Sequence, residues 1–93
     1  HLMKVELEVD TLEQLEQALS CAGADVYLLD NMSIPQLEQA VRMINGRALA
    51  EASGGITLQT ALPIAQTRVD VLSLGWLTHS VHALDIGLDI VET

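Results

Sequence analysis

The sequence predicts an α/β chain whose parallel strand–helix repeats form about half of an incomplete α/β barrel. Short apolar runs suited to strands alternate with longer stretches of helical periodicity. The strand starts recur about every 22 residues, the length of one strand–helix unit. Each strand also divides into an apolar and a polar face, whereas strands covered on both sides read as continuous apolar runs. A leucine-rich array shares the period, but its L-x-x-L-x-L-x-x-N signature is absent. Alternation of strand and helix makes the strands parallel. Four of them fall short of the roughly eight that close a barrel. Two sheet edges and the inner face are then left open, and self-association into a homo-oligomer is expected.

The first strand lies in KVELEVD, residues 4–10, with Val5, Leu7 and Val9 opposite Lys4, Glu6, Glu8 and Asp10. TLEQLEQALSCAG (11–23) follows as a helix with Leu12, Leu15, Leu19 and Ala22 on one face. Asp10 and Glu13 have the spacing of a capping box, and Gly23 is a fitting stop. DVYLLDN (25–31) is the second strand. Ser33 and Gln36 open the second helix, with Pro35 in its tolerated first turn, a stripe of Leu37, Ala40, Val41 and Ile44, and Gly46 closing it. RALAEAS (47–53) is the third strand, its Ala48, Ala50 and Ala52 small enough for close helix packing. Leu58, Ala61, Leu62 and Ala65 mark the third helix, where Pro63 predicts a kink or a late start. VDVLSLG (69–75) is the fourth strand. A short helix from near Ser80 and a strand-like LDIGLDI (84–90) complete the pattern. His1-Leu2-Met3 reads as a cloning remnant ahead of a single domain over residues 4–93.

Composition narrows the function. The 93 residues carry 13 acids against four Lys and Arg, a formal net charge of −9, so no basic patch serves nucleic acid. With Tyr27 and Trp76 the only aromatics, the core must come from Leu, Ile, Val and Ala. Cys21 stands alone, which forbids a disulfide within the chain. It reads as a small core or boundary residue and suits a reducing, cytoplasmic compartment. No apolar run approaches the ~18 residues that span a membrane, and no secretory signal is visible.

With the helices on the apolar strand faces, the polar faces point to the barrel axis. Glu8, Asp30, Glu51, Ser53 and Gly75 then gather at the C-terminal strand ends, where α/β barrels build their active sites. Two carboxylates with substrate phosphate oxygens are a common way to hold Mg²⁺. Each residue alone has a structural alternative: Glu8 and Asp30 as exposed strand-end acids or caps, Glu51 as an ion-pair partner of Arg47, Gly75 as a strand end. EASGGITLQ (51–59) is either a tight loop or a phosphate cradle of bare backbone N–H groups before a helix. His79 is a loop residue within reach of the rim or a cap, and His82 a surface one. Asp85 and Asp89 carry no assigned chemistry. No Ser-His-Asp constellation, Walker motif or dinucleotide fingerprint is present.

VELEVDTLEQLEQAL, LLDNMS, INGRALAEASGGITL and LGWLTHSVHALDIGLDI, in that order and spacing, resemble the C-terminal part of quinolinate phosphoribosyltransferase, also called nicotinate-nucleotide pyrophosphorylase (carboxylating). The resemblance covers about Val5 to Ile90. It implies a fragment of a Mg²⁺-dependent enzyme that joins quinolinate to phosphoribosyl pyrophosphate, giving nicotinate mononucleotide, pyrophosphate and CO2 in NAD biosynthesis. By the same resemblance, Glu8 and Asp30 handle the ribose hydroxyls and Mg²⁺. Ser53, Gly54 and Gly55 take the 5-phosphate, and Leu74, Gly75 and Trp76 form a second phosphate-contacting turn. It further implies that the cationic residues for quinolinate stand elsewhere in the parent enzyme, so the isolated chain is expected to be inactive. Trp76 where the family has Ala, Arg68 where it has Gly, and Pro63 depart from the pattern. An inert self-associating half-barrel and a module for another sugar phosphate are the alternatives.

Overall fold

The structure is a computed structural model and describes residues 4–21, 23–75 and 77–81. Its elements are β1 (Glu6–Val9), α1 (Leu12–Cys21), β2 (Val26–Asp30), α2 (Ile34–Ile44), β3 (Leu49–Ser53), α3 (Leu58–Ala65), β4 (Val71–Leu74) and β5 (Leu77–Ser80). One sheet runs in the order β1-β2-β3-β4-β5. β1 to β4 are parallel, as alternation of strand and helix requires. The sheet is an unclosed piece of a barrel.

Register assigns the two faces. Leu7, Tyr27 and Ala50 form one cross-strand row, and Val9, Leu29, Ala52 and Leu72 the next. These residues, Leu7 apart, join Leu15 of α1, Leu37, Ala40 and Ile44 of α2 and Ala61 of α3 in the core. Burying such aliphatic side chains contributes roughly 1.5–3 kcal/mol each. Tyr27, the one large aromatic in this core, is fully buried, and its hydroxyl accepts from the Ala24 N–H at 3.1 Å. The other face carries Glu6, Val26 and Leu49 in one row, then Glu8, Leu28, Glu51 and Val71 in the next, with Asp30 beside Ser53 above them.

Two aspartates lock neighbouring strands at their N-terminal ends. Asp25 Oδ2 accepts from the Val5 N–H at 2.8 Å while its own N–H donates to the Val5 carbonyl. Asp70 does the same with Ala50, at 2.8 Å in both directions. Each extends the ladder beyond the strand proper.

Several local expectations change. The first helix is capped one residue later than Asp10 and Glu13 suggest. Thr11 Oγ1 accepts from the Gln14 N–H at 3.1 Å, and Gln14 Oε1 accepts from the Asp10 N–H at 2.7 Å. A neutral Gln reaches back as well as Glu does. The Ser33–Gln36 capping box and Pro35 stand as expected, and Asn45 closes α2 in the left-handed conformation ahead of Gly46. Leu58 and Leu62 of α3 are exposed, and Ala61 with half-buried Ile64 and Ala65 faces the core instead. Pro63 lies inside α3, which starts at Leu58 without delay and ends two residues after the proline. Cys21, expected in the core or at its boundary, is exposed.

The largest correction concerns the last strand. Ser80 does not begin a helix; it ends β5, which pairs antiparallel with β4. Gly75, at φ 61, supplies the positive φ that a two-residue hairpin turn between Leu74 and Leu77 demands. Ala22, Trp76, His82, Asp85, Asp89 and the strand-like stretch 84–90 lie outside the described residues.

Candidate functional site

The C-terminal rim of the parallel strands is built from three adjoining strand ends. At β2 the chain leaves through Asp30 and Asn31, and the Asn31 N–H donates to the Ser53 carbonyl at 3.1 Å. Asn31 takes φ 54, a left-handed conformation Asn tolerates better than most residues. At β3 the Ser53 Oγ lies 3.5 Å from Asp30 Oδ1, the long end of hydrogen-bonding range. Gly54 follows at φ 93, and a methyl group placed there would meet Asn31 Oδ1 at 2.5 Å and Asp30 Oδ1 at 2.7 Å. Only a residue without Cβ lets the backbone pass so close to both side chains. Gly55, at φ 65, has open space around its missing Cβ. The double glycine is therefore a close backbone approach followed by a bare, accessible turn.

A second polar cluster sits beside the first. The Ser73 hydroxyl of β4 donates to Glu51 Oε2 at 3.0 Å and lies 3.4 Å from Thr78 Oγ1 of β5. Glu51 thus has a hydroxyl partner across the sheet, and the alternative of an ion pair with Arg47 is not the one adopted. The Arg47 guanidinium instead donates to the Met43 and Ile44 carbonyls at 2.7 and 3.1 Å. A cation there meets the negative end of α2.

The expected site residues divide accordingly. Asp30, Ser53 and Gly54 are brought into contact, with Gly55 next along the chain. Glu8 stands on the same face but in the row of Leu28, one side-chain row from Asp30. Adjacent strands lie ~4.8 Å apart and two residues rise ~6.7 Å, so the two Cα atoms are about 8 Å apart. Gly75 forms the turn after β4. The Leu74 side chain is buried in the core, so it offers only its backbone to the rim. Trp76 lies outside the described residues. His79 is not in a loop: it belongs to β5, in register with Leu72 on the helix-covered side, and its Nε2 is buried. Asn31 and Thr78 were missed. The dipeptide DN at a strand end signalled the first; the second had no comparable signal, because it depends on the hairpin that follows β4.

Among the described residues no three His, Cys, Asp or Glu side chains converge to hold a metal by themselves. The donor set fits Mg²⁺ only in its usual shared form, one or two carboxylates completed by water and phosphate oxygens. Cavities of about 500 and 420 Å³ open at the opposite ends of the strands, lined by Asp25 and Arg47 and by Arg68 and Asp70. Neither includes Asp30, Ser53 or the glycines. Their acids are spent on the strand-locking bonds, and ligand sites of parallel barrels form at the C-terminal strand ends. The rim is therefore the better candidate.

Fold and rim together define a segment of a parallel α/β barrel with a polar C-terminal rim on which an anion can meet bare backbone. Residues 1–89 match the family described as Quinolinate phosphoribosyl transferase, C-terminal domain. The chain belongs to that family. It is 41% identical over 90 residues to a probable nicotinate-nucleotide pyrophosphorylase [carboxylating] of Bacillus subtilis, covering 97% of this chain and 31% of the relative. It is 48% identical over 88 residues to the nicotinate-nucleotide pyrophosphorylase [carboxylating] of Mycobacterium leprae, covering 91% and 31%. The crystal structure of the nicotinate-nucleotide pyrophosphorylase from Ehrlichia chaffeensis superposes with a TM-score of 0.73 at 38% identity, over 80% of this chain and 27% of that one. The chain thus spans about a third of the length of these relatives.

Proposed function

We propose that this chain is the phosphoribosyl-holding part of a quinolinate phosphoribosyltransferase. The whole enzyme is a pentosyltransferase that converts quinolinate and phosphoribosyl pyrophosphate to nicotinate mononucleotide, pyrophosphate and CO2 in NAD biosynthesis. The observation that carries this reading is the junction of Asp30, Ser53 and Gly54 at the strand ends. It sets a carboxylate for sugar hydroxyls beside a glycine turn whose N–H groups suit a phosphate.

The chemistry of such an enzyme is displacement of pyrophosphate at the anomeric carbon through an oxocarbenium-like state. Ser53, Gly54 and Gly55 hold the 5-phosphate, and Leu74, Gly75 and Trp76 are its second set of contacts. Asp30 and Glu8 would face the ribose hydroxyls and would hold Mg²⁺ together with substrate oxygens. When bound, the ion offsets charge on the departing pyrophosphate. No general base is assigned among these residues. At the start of α3 the Thr57 and Thr60 side chains take the N–H groups of Thr60 and Thr57 respectively. Binding rests on the glycine turn itself.

A dianionic pyridine needs cations. Among the described residues the cations Arg47 and Arg68 line a cavity at the opposite end of the strands. We therefore propose that quinolinate is met by residues of the parent outside this chain, and that the chain alone does not turn over. No helix among the described residues is long and apolar enough to cross a membrane. A cytoplasmic, homo-oligomeric parent is the proposed setting, with neither nucleic acid nor membrane as partner.

The test is titration of the pure chain with phosphoribosyl pyrophosphate and Mg²⁺, followed through its backbone amide resonances. Shifts at Glu8, Asp30, Asn31, Ser53, Gly54, Gly55, Leu74 and Gly75 are expected, and inorganic phosphate should move Ser53, the glycines and Leu74 while leaving Glu8 in place. Unmoved glycine resonances at saturating ligand would overturn the reading and leave an inert half-barrel. Turnover of quinolinate by the chain alone would overturn its incompleteness.

A further inference from the structure

We propose that Glu51 is a further carboxylate that reads a sugar hydroxyl on this rim, and that Ser73 is the residue that positions it. The inference rests on the phosphoribosyl reading and extends it to β4. Register sets the geometry. Asp30 pairs with Ser53, and Ala52 with Leu72, so Ser73 comes next on β4 at the level of Ser53. Glu51 stands one row deeper on the same face, in register with Leu28 and Val71. Its carboxylate is drawn out of that row toward the rim, because Ser73 Oγ donates to Glu51 Oε2 at 3.0 Å.

Hydroxyl chemistry fixes the direction of these bonds. A serine hydroxyl has a single proton, and a carboxylate only accepts. Ser73 gives its proton to Glu51, so in its 3.4 Å contact with Thr78 Oγ1 it is Thr78 that donates. The relay runs from Thr78 through Ser73 to Glu51 and ends on an acceptor. A carboxylate has about four acceptor sites, and Ser73 fills one of them. The group presented at the end of the relay therefore suits a donor, such as a sugar hydroxyl, and repels a phosphate. Ser73 itself has no proton left for a phosphate. Position matches that preference. Asp30 lies against Gly54 in the proposed phosphate seat, whereas Glu51 precedes Ser53 by two residues, a rise of ~6.7 Å along the strand. That offset is comparable to the span from a 5-phosphate to the ring hydroxyls of its own ribose. Glu51 and Ser73 are both half-buried, where a hydrogen bond to a charge is stronger than in open water.

The test titrates the pure chain without Mg²⁺ and follows its backbone amide resonances. The probes are inorganic phosphate, ribose 5-phosphate, and tetrahydrofurfuryl phosphate, which keeps the ring and the phosphate and lacks every ring hydroxyl. Ribose 5-phosphate should bind about a hundredfold tighter than the hydroxyl-free analogue, about tenfold from each of Asp30 and Glu51. Glu51→Gln, which keeps the shape and removes the charge, should narrow that ratio about tenfold without weakening the analogue. Ser73→Ala should narrow it in the same direction, and Ser73→Thr, which keeps the hydroxyl, should restore it. A purely structural serine would change the affinity for both sugar probes alike. Glu13→Gln on α1 should leave the ratio as it is. A ratio unchanged by Glu51→Gln or by Ser73→Ala, or not regained with Ser73→Thr, overturns the inference, while glycine resonances that still move with inorganic phosphate leave the phosphoribosyl reading standing. Glycine resonances that no probe moves overturn both.

Discussion

Gly54 shows how much of the site rests on one missing methyl group. A Cβ at this position must displace Asn31 or Asp30 and also hold φ 93. Gly54→Ala is expected to cost about 1–3 kcal/mol of stability and to abolish the phosphate-induced shift of Gly55, measured by denaturant titration and by amide resonances. Arg68 presents the opposite case, a bulky residue held at φ 71 ahead of β4. A left-handed conformation costs a residue with a side chain roughly 1–2 kcal/mol. Arg68→Gly should therefore raise stability by about 1 kcal/mol and Tm by roughly 4–8 °C; an unchanged or lower Tm in calorimetry would show that the arginine side chain repays its strain. The double glycine was legible in the sequence because glycine pairs are costly elsewhere. Asp30 was legible as a carboxylate at the same strand ends; the close approach of Asn31 was not, since pairing β2 with β3 brings together residues more than twenty positions apart.

Among elements, α3 is the weakest helix. It has eight residues, a proline inside and two exposed leucines, so it relies on Thr57 to satisfy its first N–H groups. A helix this short is not stable alone in water. Thr57→Ala should destabilise the chain by about 0.5–1 kcal/mol and speed hydrogen exchange at Thr60 before it affects α2; uniform exchange changes across both helices would place the capping effect elsewhere. Strand–helix alternation, the polar and apolar strand faces and the capping of α2 were all legible, because each has a short-range signal. The cap of α1 was misread because Thr11 and Asp10 are both good caps, and only the turn's path selects between them. The helical face of α3 was misread because Leu outranks Ala in any hydrophobic pattern, yet it is Ala61, Ile64 and Ala65 that face the core. β5 was missed because LGWL hides a two-residue hairpin inside an apolar run.

At the scale of the whole molecule, the half-barrel exposes apolar surface that a closed barrel covers, including Leu49 on its inner face at 43% exposure. A net charge of −9 opposes association of copies. Self-association is therefore expected to be weak at low ionic strength and to strengthen with salt, which screens repulsion without weakening apolar burial. Sedimentation velocity across a salt series checks this; a monomer at every salt and protein concentration would show that the inner face needs no cover. The aspartate locks carry a further consequence. Val5 and Ala50, Asp25 and Asp70, and the left-handed Gly23 and Arg68 are each separated by the same forty-five positions. The bonds recur at every second strand, not at every strand. A genetic duplication that copied a single strand–helix unit would put the wrong residue at the lock, whereas one that copied two units together would arrive already in register. Among the described residues the locked unit of this sheet is thus a pair of strands, β1 with β2 and β3 with β4.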